Sequence, residues 1–167
     1  MLRFLRDGLR RPLTEPRPPV DPEFAALAVS LNETAQRRLG HSLSIRQVDA
    51  GSCNGCELEI HALNNAFYDI ERFGIHFVAS PRHADVLLVT GPVTNNMRQA
   101  LDRTWRATPD PKWVVAVGDC GVDGGVFAAS SAVVGGVSAV VPVDLVISGC
   151  PPSPIRLLTG LLSLFKN

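Results

Sequence analysis

The chain has 167 residues, 46% of them hydrophobic, enough for one domain with a sizeable core. Sixteen Lys and Arg against sixteen Asp and Glu leave no net charge, so no general affinity for nucleic acid is implied. No apolar run reaches the roughly 20 residues that cross a bilayer; the strongest candidate, 155–165, is too short and is interrupted by Arg156 and Gly160.

Residues 1–20 read as a basic arm and Pro-rich linker. Arg3, Arg6, Arg10, Arg11 and Arg17 outnumber Asp7 and Glu15, while Leu2, Phe4, Leu5 and Leu9 line one side of a short helix. Pro12, Pro16, Pro18 and Pro19 then end it. Such an arm lies on a membrane surface or docks on a partner; the alternative is a frayed terminus. Arg10-Arg11 does not read as an export signal, because Pro, Asp21 and Glu23 stand where an apolar segment belongs.

From residue 21 to 167 the pattern is that of a single α/β domain. Helical spacing over 22–39 stops at Gly40, and 43–49 alternates as a short strand. A helix over 57–73 is closed by Gly74. Strands follow at 75–80, 85–91 and 112–119, with a helix near 94–107 before the last of these. A fifth strand at 144–149 leads into a helix over about 153–165. Strand alternating with helix predicts a mostly parallel sheet covered by helices on both faces. One spacing resists that picture: only residues 81–84 separate the second and third strands, whereas a parallel crossover takes a dozen residues or more. The second strand is then a short edge piece, or its boundaries lie elsewhere.

The four cysteines stand as Cys53-Asn54-Gly55-Cys56, Cys120 within GDCGVDGG and Cys150 within SGCPPSP. A cubane cluster needs four thiolates, and the chain has that number with none left over. Cys53 and Cys56 follow the first predicted strand, Cys120 the fourth and Cys150 the fifth, so all four lie beyond carboxyl ends of strands. Ligand sites in open α/β sheets gather at that edge. Two disulfides and a structural zinc site are the alternatives. The length and the lack of a signal segment argue against disulfides; the single, scattered third and fourth cysteines argue against a zinc ribbon, which brings a second Cys-x-x-Cys. An iron-sulfur storage or scaffold role is the non-enzyme alternative. The loop after the first strand carries cysteines instead of a Ser/Thr-rich phosphate cradle, so no flavin is expected.

Three segments, GSCNGCELEIHALNNAFYDIERFGIHFVASPRHADVLLVTGPVTNNM, GDCGVDGG and VPVDLVISGCPPSP, together resemble the cluster-bearing small subunit of membrane-bound nickel-iron hydrogenases of the formate-hydrogenlyase and energy-converting type. They are also similar to the roughly 20-kDa subunit of respiratory complex I. The match runs in order over about 43–165. The resemblance implies a flavodoxin-like fold and one 4Fe-4S cluster on Cys53, Cys56, Cys120 and Cys150. It implies an electron-transfer role with no catalytic residue in this chain. The implied partners are a hydrogenase-like large subunit, a ferredoxin-like iron-sulfur subunit and membrane subunits, on the cytoplasmic side of the cell membrane as a peripheral component. Complex I subunits have adjacent cysteines at the first ligands and often a glutamate after their Gly-Cys-Pro-Pro motif; Cys53-x-x-Cys56, Ile155 and Arg156 favour the hydrogenase branch.

Further candidates come with the resemblance. It places a carboxylate near Glu57 and Glu59 at the subunit boundary, where a buried acid relays protons or couples to cluster reduction; acids at a helix start are also explained by the helix dipole alone. Arg82, Thr94, Asn95 and Met97 match the region lining the quinone chamber of complex I relatives. In a hydrogenase-type complex the same surface seats the large subunit, while Pro81 and Asn95-Asn96 are otherwise ordinary turn residues. Asp119 stands before Cys120 where Ser or Ala is common in this lineage, a departure that bears on the local electrostatics.

Overall fold

The computed structural model describes Arg6, Pro19 and residues 21–166. The remainder of the predicted arm and linker lies outside the described residues.

Helix α1 spans Pro22–Leu39. Its start is written locally: the Asp21 carboxylate accepts the Glu23 N–H at 2.9 Å, Pro22 occupies the first turn, and Glu23 faces the positive end of the dipole. Its end has Arg37 and Arg38 in the last turn, and the Gly40 N–H returns to the Gln36 carbonyl. Phe24, Ala28, Leu31 and Ala35 recur at helical spacing and are fully buried.

Strands β1 (Leu43–Asp49), β2 (Ile75–Phe77), β3 (Val86–Thr90), β5 (Trp113–Val117) and β7 (Leu145–Ile147) form one sheet in the order β2-β1-β3-β5-β7. Every pairing in it is parallel. Counting sheet strands alone, the order is 2-1-3-4-5, the flavodoxin-like winding. Strand β3 is central and buried along its whole length, as a strand covered on both faces must be. Alternate residues serve opposite cores. Val86, Leu88, Val115 and Val117 join α1 and helix α5 (Pro154–Lys166) on one face. Leu87, Val89, Val114 and Ala116 pack with Leu101 of helix α3 (Asn95–Ala107), Val137 and Val141 on the other. Helix α5 contributes Leu157, Leu158, Leu161 and Leu162, each worth about 1.5–3 kcal/mol when buried. No helix among the described residues is long and apolar enough to cross a membrane.

The short link between the second and third strands has a simple geometry. Strand β2 is an edge piece that pairs only with Leu43–Ile45. Phe77, its last residue, and Val86, the first of β3, both stand opposite Ile45 from its two sides. The chain therefore steps sideways across β1 through the turn Pro81–His83 and has no strand length to retrace.

The helix predicted over 57–73 is two elements. Helix α2 spans Gly55–Ala62, and a single 3-10 turn spans Ile70–Phe73. Between them the Asn65 carboxamide oxygen accepts the N–H groups of Phe67 and Tyr68, both at 2.9 Å, and Asp69 turns left-handed at φ 47°. Side-chain capture of backbone donors is how Asn leaves a helix. A two-stranded ribbon of β4 (Val93–Thr94) and β6 (Val133–Gly135) and a short helix α4 (Asp119–Asp123) complete the fold.

Candidate metal centre

All four cysteines line one cavity of about 180 Å³ at the carboxyl edge of the sheet. The loop after β1 gives Cys53, the first turn of α2 gives Cys56, helix α4 after β5 gives Cys120, and the loop after β7 gives Cys150. Gly91, just past β3, closes the floor. The cavity thus straddles the point between β1 and β3 where the winding reverses direction, the usual ligand position in this topology. Cys53 and Cys150 are exposed, Cys56 and Cys120 half-buried, and all four are free thiols.

The loop holding Cys53 is shaped by its own residues. The Asp49 Oδ1 accepts the N–H groups of Gly51 and Ser52, each at 2.8 Å. Ser52 Oγ accepts from Asn54 N at 3.1 Å, and Asn54 is left-handed at φ 71°, which turns the chain sharply into α2. The opposite wall is tied across the sheet: Asp119 N donates to the Gly149 carbonyl at 3.0 Å, and Asp119 Oδ1 accepts the Gly149 N–H at 2.8 Å. Two glycines are required by close approach. At Gly91 (φ 76°) an added Cβ would stand 2.5 Å from Ser52 Cα, and at Gly118 (φ 81°) it would stand 2.5 Å from Cys56 Sγ.

The site is short of positive charge. Burial pushes the Cys56 thiol up to about 12, helped by the charges of Glu57, Cys53, Cys120 and Cys150. Burial also raises Cys120, with Cys150, Cys53 and Asp119 adding to it and a hydrogen bond from the Val126 backbone opposing it. Glu57 is 4% exposed, and neither of its carboxylate oxygens has a hydrogen-bond partner; Glu59 is only half-buried. Among the described residues, no group of three His, Cys, Asp or Glu side chains is gathered to hold a single ion.

The remaining candidates are spread out. Thr94 Oγ1 and Thr94 N both donate to the Ala50 carbonyl, at 3.3 and 2.9 Å. Asn95 bonds Ala132 through its backbone and Ser131 through its side-chain amide, each at 2.9 Å. Met97 is half-buried in the first turn of α3, beside them. Exposed Arg82 belongs to the turn before β3, at the opposite end of that strand. A larger cavity of about 430 Å³, lined by Arg46, Gln47, His61, Asn64 and Phe77 among others, holds no cysteine. The Asp119 clamp and the Gly118 contact are the features that sequence reasoning missed: the signal was Asp119 itself, but its partner lies 30 residues away.

A doubly wound α/β domain with a thiol ring at its carboxyl edge defines a class of small redox subunits. The chain belongs to the family described as NADH ubiquinone oxidoreductase, 20 Kd subunit, whose model matches residues 53–164. It is 45% identical over 154 residues to formate hydrogenlyase subunit 7 of Escherichia coli K12, a match covering 92% of this chain and 57% of that relative, so the chain spans little more than half its length. It is 46% identical over 124 residues to the probable membrane-bound hydrogenase subunit mbhJ of Pyrococcus furiosus, covering 74% of each. Among solved structures, a chain of the membrane-bound sulfane sulfur reductase, an archaeal respiratory membrane complex, superposes with a TM-score of 0.67 at 34% identity over 83% of this chain and 74% of that one.

Proposed function

We propose that this chain holds one 4Fe-4S cluster on Cys53, Cys56, Cys120 and Cys150 and serves as the electron-transfer subunit of a membrane-associated nickel-iron hydrogenase complex. It would sit beside the large catalytic subunit, with a ferredoxin-like iron-sulfur subunit and membrane subunits completing the assembly on the cytoplasmic side. The observation that carries the reading is the convergence of all four cysteines on one cavity.

The donor set fits such a group. Four thiolates are what a cubane requires, and the positive charge of iron would offset the burial and the mutual repulsion that raise Cys56 and Cys120. A single zinc ion draws its ligands to about 2.3 Å and brings no sulfide, so acid-labile sulfide distinguishes the two. When bound, the cluster supplies one-electron storage, at a potential set by net charge, hydrogen bonding and burial. The chain's own residues do the rest. The loops fix the four sulfurs, and the cores on both faces of the sheet keep those loops in register. Glu57, buried beside Cys56 with unpartnered oxygens, is a better candidate than half-buried Glu59 to couple a proton to the site. Thr94 and Asn95 brace the loop that follows β1 and the segment before the ribbon, beside half-buried Met97, and this is the surface proposed to seat the large subunit.

The test is the composition and behaviour of the anaerobically isolated protein. About four iron and four acid-labile sulfide per chain are expected, and Cys120→Ala or Cys150→Ala abolishes them, because no fifth cysteine exists. Stoichiometric zinc without sulfide overturns the reading. In the purified complex, reduction of the cluster by hydrogen that survives quinone-site inhibitors supports the hydrogenase assignment. A nickel-free complex whose turnover those inhibitors block establishes the complex I type alternative.

A further inference from the structure

Gly149 precedes Cys150, and Asp119 precedes Cys120. Both polar backbone groups of Gly149 are taken by this one residue: its carbonyl by the Asp119 N–H at 3.0 Å, and its N–H by the Asp119 carboxylate at 2.8 Å. The neighbouring bond from Gly118 N to the Ile147 carbonyl, 2.8 Å, belongs to the strand ladder and carries the two chains side by side up to this point. Beyond Ile147, β7 has ended, and the Asp119 ring is what continues the pairing into the two cysteine loops. Asp119 also lines the same cavity as the four cysteines.

We infer that Asp119 is a positioning residue with two effects: it sets the Cys120 and Cys150 loops in mutual register, and its negative charge beside the thiol ring lowers the reduction potential of the bound cluster. The inference rests on the 4Fe-4S reading above. The first effect follows from bonding: Asp119 is exposed and Gly149 half-buried, so water replaces part of the lost bond, and the remainder destabilises the loop conformation that needs it. The second follows from Coulomb's law. Reduction adds one electron to the cluster with no bond made or broken, and a fixed negative charge nearby disfavours the more negative state.

The two effects separate in two variants of the full chain, purified without oxygen beside the wild type. Asp119→Asn keeps a side-chain oxygen to accept the Gly149 N–H and removes the charge. It is expected to retain the wild-type iron and sulfide content and to show a midpoint potential shifted to more positive values in a dithionite titration followed by electron paramagnetic resonance. Asp119→Ala removes the side-chain bond and the charge together, leaves the backbone bond, and is expected to hold less iron after gel filtration than Asp119→Asn, while the metal-free protein keeps its circular dichroism. An Asp119→Ala protein that holds its iron as the wild type does overturns the positioning role. An Asp119→Asn midpoint equal to the wild type overturns the electrostatic one. A wild type that carries no cluster sinks the underlying reading, and this inference with it, so the two failures are told apart by the wild-type column alone.

Discussion

The two halves of the thiol ring are built in different ways. The half bearing Cys53 and Cys56 is shaped chiefly by local bonds: Asp49 bonds the second and third residues after it, Ser52 bonds the second after it, and α2 starts at once at Gly55, with Thr94 bracing only the base of the loop at Ala50. The half bearing Cys120 and Cys150 joins the ends of two strands through Asp119 and Gly149, 30 residues apart in sequence. A local turn closes with little loop entropy, while a long-range clamp exists only after the strands beneath it have paired. Strand β7 has just three residues, so the second half leans on a short edge strand of the sheet. The first half is therefore the more self-sufficient one, and the seam between the halves is the place where the site is easiest to break.

That seam runs past Gly118. A side chain there would meet Cys56 Sγ at 2.5 Å in a backbone conformation with φ 81°. The backbone strain alone is of order 1–3 kcal/mol, and the clash adds to it. Gly118→Val should lower the denaturation midpoint of the metal-free protein by at least that strain and should strip the iron, both readable by urea titration and iron analysis. A variant with wild-type midpoint and iron content would mean that the halves do not meet as tightly as this contact implies.

A smaller effect is expected within the local half. Asp49→Ala frees two backbone N–H groups, each bond worth about 0.5–1.5 kcal/mol, and the loop is exposed enough for water to replace part of the loss. The metal-free protein should lose about 1–2 kcal/mol, and the cluster should remain but yield faster to a chelator. If Asp49→Ala empties the site as fully as Gly118→Val, the local half is not self-sufficient and the contrast drawn above fails.

The same contrast decides what was legible in the sequence. Helix α1 was readable because Asp21, Pro22 and Glu23 mark its start and Gly40 its end. The sheet strands were readable as apolar runs, although most proved shorter than expected, β2 ending at Phe77. Helical periodicity continues from Glu57 to Phe73, yet the helix stops at Ala62 and the Asn65 side chain takes the N–H groups of Phe67 and Tyr68, which keeps it from resuming there; a tertiary fold tolerates this break because Ile60, Leu63 and Ile70 still reach the core. The β4–β6 ribbon could not be read, since two or three residues carry no period and their partners lie far along the chain. The cysteines were visible as residues and their strand ends as positions. The Asp119 clamp was not, because nothing in GDCG specifies a partner in SGCPP; only the pairing of β5 with β7 does.

An effect confined to alkaline pH concerns protons, and it tests whether the local half also holds the most burial-sensitive thiol. Cys56 is raised from its ordinary value of 9.0 to about 12, first by burial and then by Glu57 and the other three cysteines. A group whose folded value lies above its unfolded one stabilises the fold below the unfolded value, and that contribution is lost as pH rises toward the folded value. The metal-free protein should therefore hold its Cys56 contribution below pH 9 and lose it progressively between pH 9 and about 12. Because the thiolate is the nucleophile, iodoacetamide at pH 9 should label Cys56 in the folded metal-free chain roughly two to three orders of magnitude more slowly than in urea. Cys56→Ser removes the titrating group, and its stability should fall less steeply over the same interval. If the serine variant falls as steeply as the parent, or if Cys56 labels at the same rate folded and unfolded, the thiol is not held protonated by its surroundings. The thiol held protonated by its surroundings would then be Cys120's alone, in the long-range half.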